Sequence, residues 1–175
     1  GAGGVGLNIV QAAALVGAHP VIAVDLYDNR LELAKEMGAT HLINTSKQEA
    51  NIEIKKILGT LGPDVFIDNT GQPNIIEMGY EMIKPQGRVV LVGVPKKGNN
   101  INIYSLPLHF GKGLSGSQGG EALPNIDIPR YQGMLNAGRI KLKELITEEL
   151  ALEDINQAID NMRSGKMSGR CMIRM

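Results

Sequence analysis

The chain has 175 residues, and its 18 basic and 18 acidic side chains give a formal net charge of zero at pH 7. It has neither a cationic run typical of nucleic-acid binding nor an apolar stretch near the ~20 residues of a membrane helix, so we predict no nucleic-acid or membrane partner. The single cysteine, Cys171, excludes an internal disulfide and a cysteine-based metal site, and a cytoplasmic location is the simplest interpretation.

A glycine-rich turn opens the sequence. Residues 1–6 read Gly-Ala-Gly-Gly-Val-Gly, the G-x-G-x-x-G pattern in which a dinucleotide pyrophosphate lies against backbone. A helix is predicted directly after the turn, and its first amides and positive dipole end favour phosphate binding. The predicted cofactor contacts in this turn are Gly1, Gly3, Gly4, Val5 and Gly6.

Apolar strands alternate with helices through the first two-thirds of the sequence. This alternation predicts an α/β fold with a Rossmann-type, doubly wound parallel sheet. In the usual strand order of that fold, the strand before the glycine turn is central. This sequence lacks that first strand, so we expect the natural protein to continue upstream of Gly1. The predicted strands are residues 21–24, 40–43, 65–68, 88–94 and 101–104, and the predicted helices are residues 4–18, 28–37, 46–58 and 74–84.

Helical spacing also predicts the buried faces of the first two helices. In the first, the face expected to pack on the sheet consists of Val5, Ile9, Ala12, Ala13 and Val16. In the second, Asp28 is the expected N-terminal cap. The residues expected inside are Leu31, Leu33, Ala34 and Met37, with Gly38 just past the helix end.

The pattern becomes less regular after residue 111. A short strand and a glycine-rich turn are predicted over residues 112–120. A helix follows over 127–138, in which Pro129 is tolerated only within the first turn. A second helix over 152–164 and a final strand over 169–175 complete this tail.

Asp25 closes the strand after the glycine turn, 24 residues beyond Gly1. An acidic residue at this interval accepts hydrogen bonds from the adenosine ribose hydroxyls. It favours NAD over NADP, because a 2′-phosphate would be repelled by an amount on the order of a few kcal/mol. Arg30 is five residues further on; it could reach the same ribose, and a solvated helix residue is an equally good interpretation.

Two later strands end in segments that could also line a ligand site, since doubly wound sheets bind ligands at the carboxyl ends of their strands. These segments are residues 69–71 and 92–94, and an ordinary strand-to-loop glycine explains Gly93 as well as a cofactor contact does. Asp64, Asp68 and Glu77 are interpreted as loop and helix-surface carboxylates. No arrangement for proton transfer or metal binding is visible, so we predict no catalytic residue and no metal ligand here.

Five segments resemble the zinc-dependent alcohol dehydrogenases of the medium-chain dehydrogenase/reductase superfamily. They are residues 1–7, 21–25, 31–40 together with 43–44, 87–94 and 163–166. The resemblance implies that residues 1–117 are an NAD-binding Rossmann domain, and that residues 118–175 return to pack on a catalytic domain that precedes this sequence. It also implies that zinc ligands and a proton relay lie upstream. Subunits would pair through the strand near 100–104, as a homodimer or homotetramer.

The resemblance also implies roles for individual residues. Asp25 and Arg30 match the ribose-binding acid and base of the family, and Arg170 matches an arginine that reaches the pyrophosphate. Val92, Leu114 and Gly116 match positions whose backbone holds the nicotinamide carboxamide. The full set of predicted cofactor-binding residues beyond the glycine turn is Asp25, Leu26, Arg30, Asn69, Thr70, Val92, Gly93, Val94, Leu114, Ser115, Gly116 and Arg170.

Three functions remain open from the sequence. The leading hypothesis is the NAD-binding portion of a zinc alcohol dehydrogenase that moves hydride between NAD and an alcohol, giving an aldehyde or ketone; this portion would not catalyse alone. A zinc-free quinone or enoyl reductase of the same superfamily is the second, although Asp25 disfavours the NADPH that such enzymes often use. The third is a non-catalytic NAD-binding module.

Overall fold

The computed structural model describes residues 1–175, which form six α-helices and seven β-strands. Every strand pair is parallel, and the hydrogen-bonded orders are β1-β2, β3-β4-β5 and β6-β7. An α-helix separates each strand from the next except between β4 and β5, which confirms the predicted α/β fold class. The elements are α1 (Gly4–Leu15), β1 (Ile22–Asp25), α2 (Asp28–Glu36), β2 (His41–Asn44), α3 (Ala50–Leu58), β3 (Val65–Asp68), α4 (Pro73–Met82), β4 (Arg88–Leu91), β5 (Gly113–Gly116), α5 (Pro124–Asn136), β6 (Ile146–Ala151), α6 (Ile155–Arg163) and β7 (Arg170–Arg174).

The chain divides into two compact units. The first unit comprises Gly1–Gln48 and Leu123–Met175, and the second comprises Glu49–Ala122. Leu7, Val10, Leu31 and Leu145 belong to the core of the first unit. The core of the second is built on Tyr80, Ile83 and Val89, with Phe66, Leu91, Ile103 and Leu114 packed against it. The assignment of residues 1–117 and 118–175 to different domains of a complete protein stays a prediction.

The buried face of α1 differs from the prediction. Val5 and Val16 are exposed, whereas Leu7 and Val10 are buried. The reason is a tertiary contact: the buried side chain of Gln11 bonds both backbone groups of Lys141, donating from Nε2 to the carbonyl (3.2 Å) and accepting from the amide. Because α1 carries apolar residues around much of its circumference, its periodicity alone does not select the face.

α2 follows the prediction in its core but not at its start. All four predicted inward residues are buried, and Gly38 has a φ of +111° just past the helix end. Asp28 is the first helical residue rather than the cap. Its carboxylate accepts from Asn44 Nδ2 at 2.6 Å and Lys47 Nζ at 2.5 Å. The Asn44 side chain in turn accepts from the amide and hydroxyl of Ser46, which favours a turn there, and α3 begins only at Ala50.

No strand forms at residues 101–104, so this prediction is wrong for the chain itself. Two side chains of α4 bond backbone groups of this segment. The Asn102 amide donates to Glu77 Oε1 at 2.7 Å, and the Tyr80 hydroxyl donates to the Tyr104 carbonyl at 3.0 Å. The segment is therefore held against a helix.

The tail is more regular than its sequence indicates. α5 begins at Pro124, which fits a first helical position, so Pro129 lies inside the helix and not in its first turn. β6 was not predicted, although its residues alternate between half-buried and exposed positions. β7 confirms the predicted final strand. None of the helices has the length and hydrophobicity needed to cross a bilayer.

Candidate functional site

The glycine turn leaves open space at the start of α1. Gly3 precedes the helix with φ −73° and ψ −172°, a conformation open to any residue, and a Cβ added there would meet nothing within 4 Å. No side chain caps the helix, whose first-turn amides have no carbonyl of their own helix to bond. Gly6, by contrast, is buried. The turn is thus shaped for an incoming acceptor at Gly3 and for packing at Gly6.

Gly4 lies under the guanidinium group of Arg170. A Cβ on Gly4 would fall 2.5 Å from Arg170 Nε and 2.8 Å from its Cζ, so glycine lets this side chain lie directly over the helix start, and any larger residue would displace it. Arg170 is the first residue of β7. The structure therefore brings a cation from the far end of the sequence to the positive end of α1, where two positive features favour an anion.

Asp25 lies at the carboxyl end of β1 and is 8% exposed. Its Oδ2 accepts from the Ala2 amide at 2.7 Å, and its Oδ1 accepts from the amides of Leu26 (2.8 Å) and Tyr27 (3.1 Å). Arg30 Nη1 is 3.9 Å from Oδ1. Three amides therefore bond the carboxylate and a cation lies beside it, and about one of its roughly four lone-pair directions is left for a further donor.

In the second unit, Asp68 is 1% exposed, so its interpretation as a surface carboxylate is wrong. Its Oδ1 accepts from the Thr70 amide (3.0 Å) and hydroxyl (2.6 Å), and its Oδ2 accepts from the Gly71 amide at 2.9 Å. The sequence Asp-Asn-Thr-Gly contains the signal for this turn, since aspartate bonds the backbone two residues on. Asp68 is therefore the residue that shapes loop 69–71.

The loops after β3 and β4 touch through their backbones. A Cβ on Gly93 would lie 2.6 Å from the carbonyl carbon of Asn69 and from the amide nitrogen of Thr70. The amides of Val92 and Gly93 both donate to the Asp68 carbonyl, at 2.7 and 3.0 Å, which ends β4 at Leu91 instead of at the predicted Val94. The close approach that Gly93 allows is thus occupied by the chain's own backbone.

β5 places the remaining predicted residues beside these loops. Leu114 pairs with Val89 and packs on the core of the second unit, and Gly116 pairs with Leu91. Ser115 and Gly116 are exposed, as is Val94, while Asn69 and Thr70 are half-buried. Residues 69–71, 92–94 and 115–116 therefore meet at the carboxyl edge of the β3-β4-β5 sheet.

Two clefts lie away from the predicted cofactor residues. One, of about 300 Å³ in the first unit, is lined by Gln11, Glu36 and Lys141 among others. The other, of about 520 Å³ in the second unit, is lined by Phe110 and Lys112 among others, and partial burial lowers the pKa of the Lys112 ammonium. No group of three or more His, Cys, Asp or Glu side chains is placed to hold a metal ion. The residues of this chain therefore do not fit a zinc site.

Comparisons with known proteins agree with this geometry. The family model described as "Zinc-binding dehydrogenase" matches residues 4–136. S-(hydroxymethyl)glutathione dehydrogenase of Paracoccus denitrificans is 32% identical over 173 residues, covering 95% of this chain and 46% of that protein. D-xylulose reductase of Scheffersomyces stipitis is 34% identical over 183 residues, covering 99% and 49%. The crystal structure of benzyl alcohol dehydrogenase from Acinetobacter calcoaceticus superposes with a TM-score of 0.91 at 34% identity, covering 100% of this chain and 48% of that one.

The chain spans about half the length of the curated relatives it matches. The glycine turn and the strand-end carboxylate lie in two of the segments through which the sequence resembled this group. The family match confirms that resemblance over most of the chain. The chain belongs to the zinc-binding dehydrogenase family.

Proposed function

We propose that the complete protein is an NAD-dependent zinc alcohol dehydrogenase and that this chain holds the cofactor. The single observation that carries the proposal is the environment of Asp25. Its carboxylate accepts hydrogen bonds from three amides at the end of a parallel strand, beside the turn that starts α1. That placement suits an acceptor for ribose hydroxyls and repels a 2′-phosphate. Relatives described as alcohol dehydrogenases support the reaction class.

The predicted cofactor contacts of the first unit have separate proposed roles. The open face of Gly3 and the first amides of α1, from Gly4 to Gly6, receive the pyrophosphate, and Arg170 neutralises it from the side. Asp25 accepts from the ribose, and the exposed Leu26 beside it lies against the adenosine. Fixing the adenosine half in this way orients the remainder of the cofactor without catalysing anything itself.

For the second unit we propose backbone contacts to the nicotinamide end. The residues are Asn69, Thr70, Val92, Gly93, Val94, Leu114, Ser115 and Gly116, as the resemblance implies. When bound, the nicotinamide supplies the carbon that accepts hydride from the alcohol. Asp68 holds loop 69–71 in one conformation, so these carbonyls and amides are preorganised. Zinc ligands are proposed to lie outside this chain, because its residues do not fit a metal site.

The wider assignments are also proposals. An alcohol is the proposed substrate and an aldehyde or ketone the product. Pairing of two copies through residues 100–104 would give a homodimer or homotetramer. This segment has no strand partner within the chain, and the side chain of Tyr104 is exposed. The lone cysteine suits the proposed cytoplasmic location.

Asp25→Gly in the complete protein tests the ribose role. We expect the Kd for NAD⁺ to rise about tenfold or more, since a charge-assisted hydrogen bond contributes about 1.5–3 kcal/mol, while the Kd for NADP⁺ changes little or falls. Fluorescence titration with both nucleotides measures the ratio. Asp28→Asn, three residues away on an exposed carboxylate, is the matched control. An unchanged NAD⁺ to NADP⁺ preference would rule out the proposed role.

A further inference from the structure

The turn at the C-terminal end of α6, residues 162–167, includes the last two helical residues and packs against the start of α2. Gly165 is buried in this turn with a φ of +73°. The ring of Tyr27 occupies the space that a Cβ on Gly165 would need. Both the backbone conformation and the space therefore require glycine at this position.

Two polar side chains of α2 bind the same turn through its carbonyls. Asn29 Nδ2 donates to the carbonyls of Gly165 (3.4 Å) and Lys166 (3.2 Å). Arg30 donates from Nε to the Met167 carbonyl at 3.4 Å and from Nη2 to the Met162 carbonyl at 3.5 Å. These bonds are at the long end of the usual range, but they act together on one short turn. We call Tyr27, Asn29, Arg30 and turn 162–167 the latch.

The guanidinium of Arg30 is committed to protein contacts. It lies over the Tyr27 ring, with Cζ 4.8 Å from the ring centre, and the side chain is 20% exposed. Each of its three nitrogens faces a protein oxygen: two carbonyls of the turn and the carboxylate of Asp25. An arginine fixed in this way suits holding two segments together, because its planar fork bonds several oxygens at once.

The latch connects Asp25 and Arg170, the two charged residues of the proposed cofactor site. At one end Arg30 faces Asp25, which is bonded to the Ala2 amide in the glycine turn. At the other end turn 162–167 leads within three residues to Arg170, whose guanidinium lies over Gly4. The contacts thus run from the glycine turn to Asp25, through the latch to Arg170, and back to the glycine turn.

We propose that Arg30 is a positioning residue that acts through the latch to hold Arg170 at the start of α1. This inference rests on the proposed function. Loss of Arg30 loosens turn 162–167, so Arg170 no longer stays over Gly4 and the pyrophosphate loses its lateral cation. The consequence is energetic coupling between Arg30 and Arg170, which do not touch.

A double-mutant cycle on the complete protein tests this coupling, with ADP-ribose as the probe and its Kd as the readout. We expect Arg30→Met to raise the Kd about tenfold in the wild-type background and less than about twofold in an Arg170→Met background. Asn29→Ala removes two hydrogen bonds to the turn and the side-chain acceptor of the Arg30 amide, and it touches neither Asp25 nor Arg170. It should show the same dependence with a loss of about threefold. Arg163→Met is the matched control, because its side chain is 78% exposed on the same turn.

Three outcomes separate the possibilities. Equal losses in both backgrounds, for either variant, overturn the latch, and for Arg30→Met they also favour a direct ribose contact by Arg30. Kd values of Arg30→Met and Asn29→Ala that match the wild type also overturn it. If the wild-type protein itself fails to bind ADP-ribose, the proposed function fails. Thermal unfolding of each variant, with Asn29→Ala as the mildest change, verifies that binding is measured on folded protein.

Discussion

Both compact units end a parallel strand in a buried aspartate, and the two carboxylates do different work. Asp25 accepts from the amide of Ala2, 23 residues earlier in the chain, as well as from the two residues that follow it. All three donors to Asp68 come from Thr70 and Gly71. Asp25 therefore joins separate segments, whereas Asp68 shapes a single loop. An aspartate at the end of a parallel strand thus connects two segments in one unit and stabilises a single loop in the other.

The glycines beside these carboxylates also differ, in the space that a side chain at each would find. A Cβ on Gly3 would meet nothing, while a Cβ on Gly93 would collide with the backbone of residues 69–70. The open space at Gly3, next to Asp25, can receive a ligand. The space at Gly93, next to Asp68, is already filled by the protein backbone. The contrast separates a glycine kept for binding from a glycine kept for packing.

Gly93→Ala is the change with the largest expected effect. The added methyl group would fall within 2.6 Å of three backbone atoms, which cannot move away as a flexible side chain would. We expect a loss of about 3 kcal/mol in the free energy of unfolding, at the upper end for overpacking. Urea unfolding, followed by hydrogen exchange of the Val92 and Gly93 amides, measures it.

Gly116→Ala is the matched control for that experiment. Gly116 ends β5 in the same sheet, has no positive φ and has nothing within 4 Å of its hypothetical Cβ. Its substitution should change the free energy of unfolding by about 0.5 kcal/mol or less. Equal stabilities of the two variants would show that the loops after β3 and β4 relax, and the contrast with the glycine turn would disappear.

Gly3→Ala should show the opposite profile. Its backbone conformation suits alanine, so the free energy of unfolding should fall by only about 1 kcal/mol or less through the poorer helix cap. The methyl group would fill the space proposed for the pyrophosphate, so we expect the Kd for ADP-ribose to rise about tenfold. Isothermal titration of the complete protein provides the measurement. Normal affinity in this variant would remove Gly3 from the binding surface.

Sequence patterns correctly predicted the strands, helix faces and spacings that are determined by residues close together in the chain. Val65–Asp68 forms the strand predicted for it, and all four predicted core residues of α2 are buried. Asp25 lies at the strand end that its interval from Gly1 indicated. In each case a run of apolar residues, a helical repeat or a fixed spacing carries the information.

The sequence did not predict the features that depend on contacts between residues far apart in the chain. The orientation of α1 depends on Gln11 bonding Lys141, 130 residues away. The glycine at 165 depends on Tyr27, and the missing strand at 101–104 depends on Glu77 and Tyr80. No periodicity encodes such pairs. Asp68 differs, since its turn was readable from Asp-Asn-Thr-Gly but was not recognised.

The smallest expected effect concerns two exposed carboxylates, one in each unit. The hydrogen bond from Lys47, aided by Asn44, holds the pKa of Asp28 below its ordinary value of 3.8. The hydrogen bond from Lys84 does the same to the pKa of Asp64. Because each folded pKa is lowered, each pair stabilises its unit above the unfolded pKa, and this contribution is lost as the pH falls through the folded pKa.

NMR titration of the aspartate carboxyl groups tests whether the two pairs are independent. Lys47→Ala should raise the pKa of Asp28 toward its ordinary value and leave that of Asp64 unchanged, and Lys84→Ala should do the reverse. High salt should weaken both shifts, since these side chains are exposed and screened. If either lysine substitution moved both pKa values, the two units would share an electrostatic environment. The contrast between Asp25, which bonds separate segments, and Asp68, which bonds a single loop, would then not apply to the electrostatics of the two units.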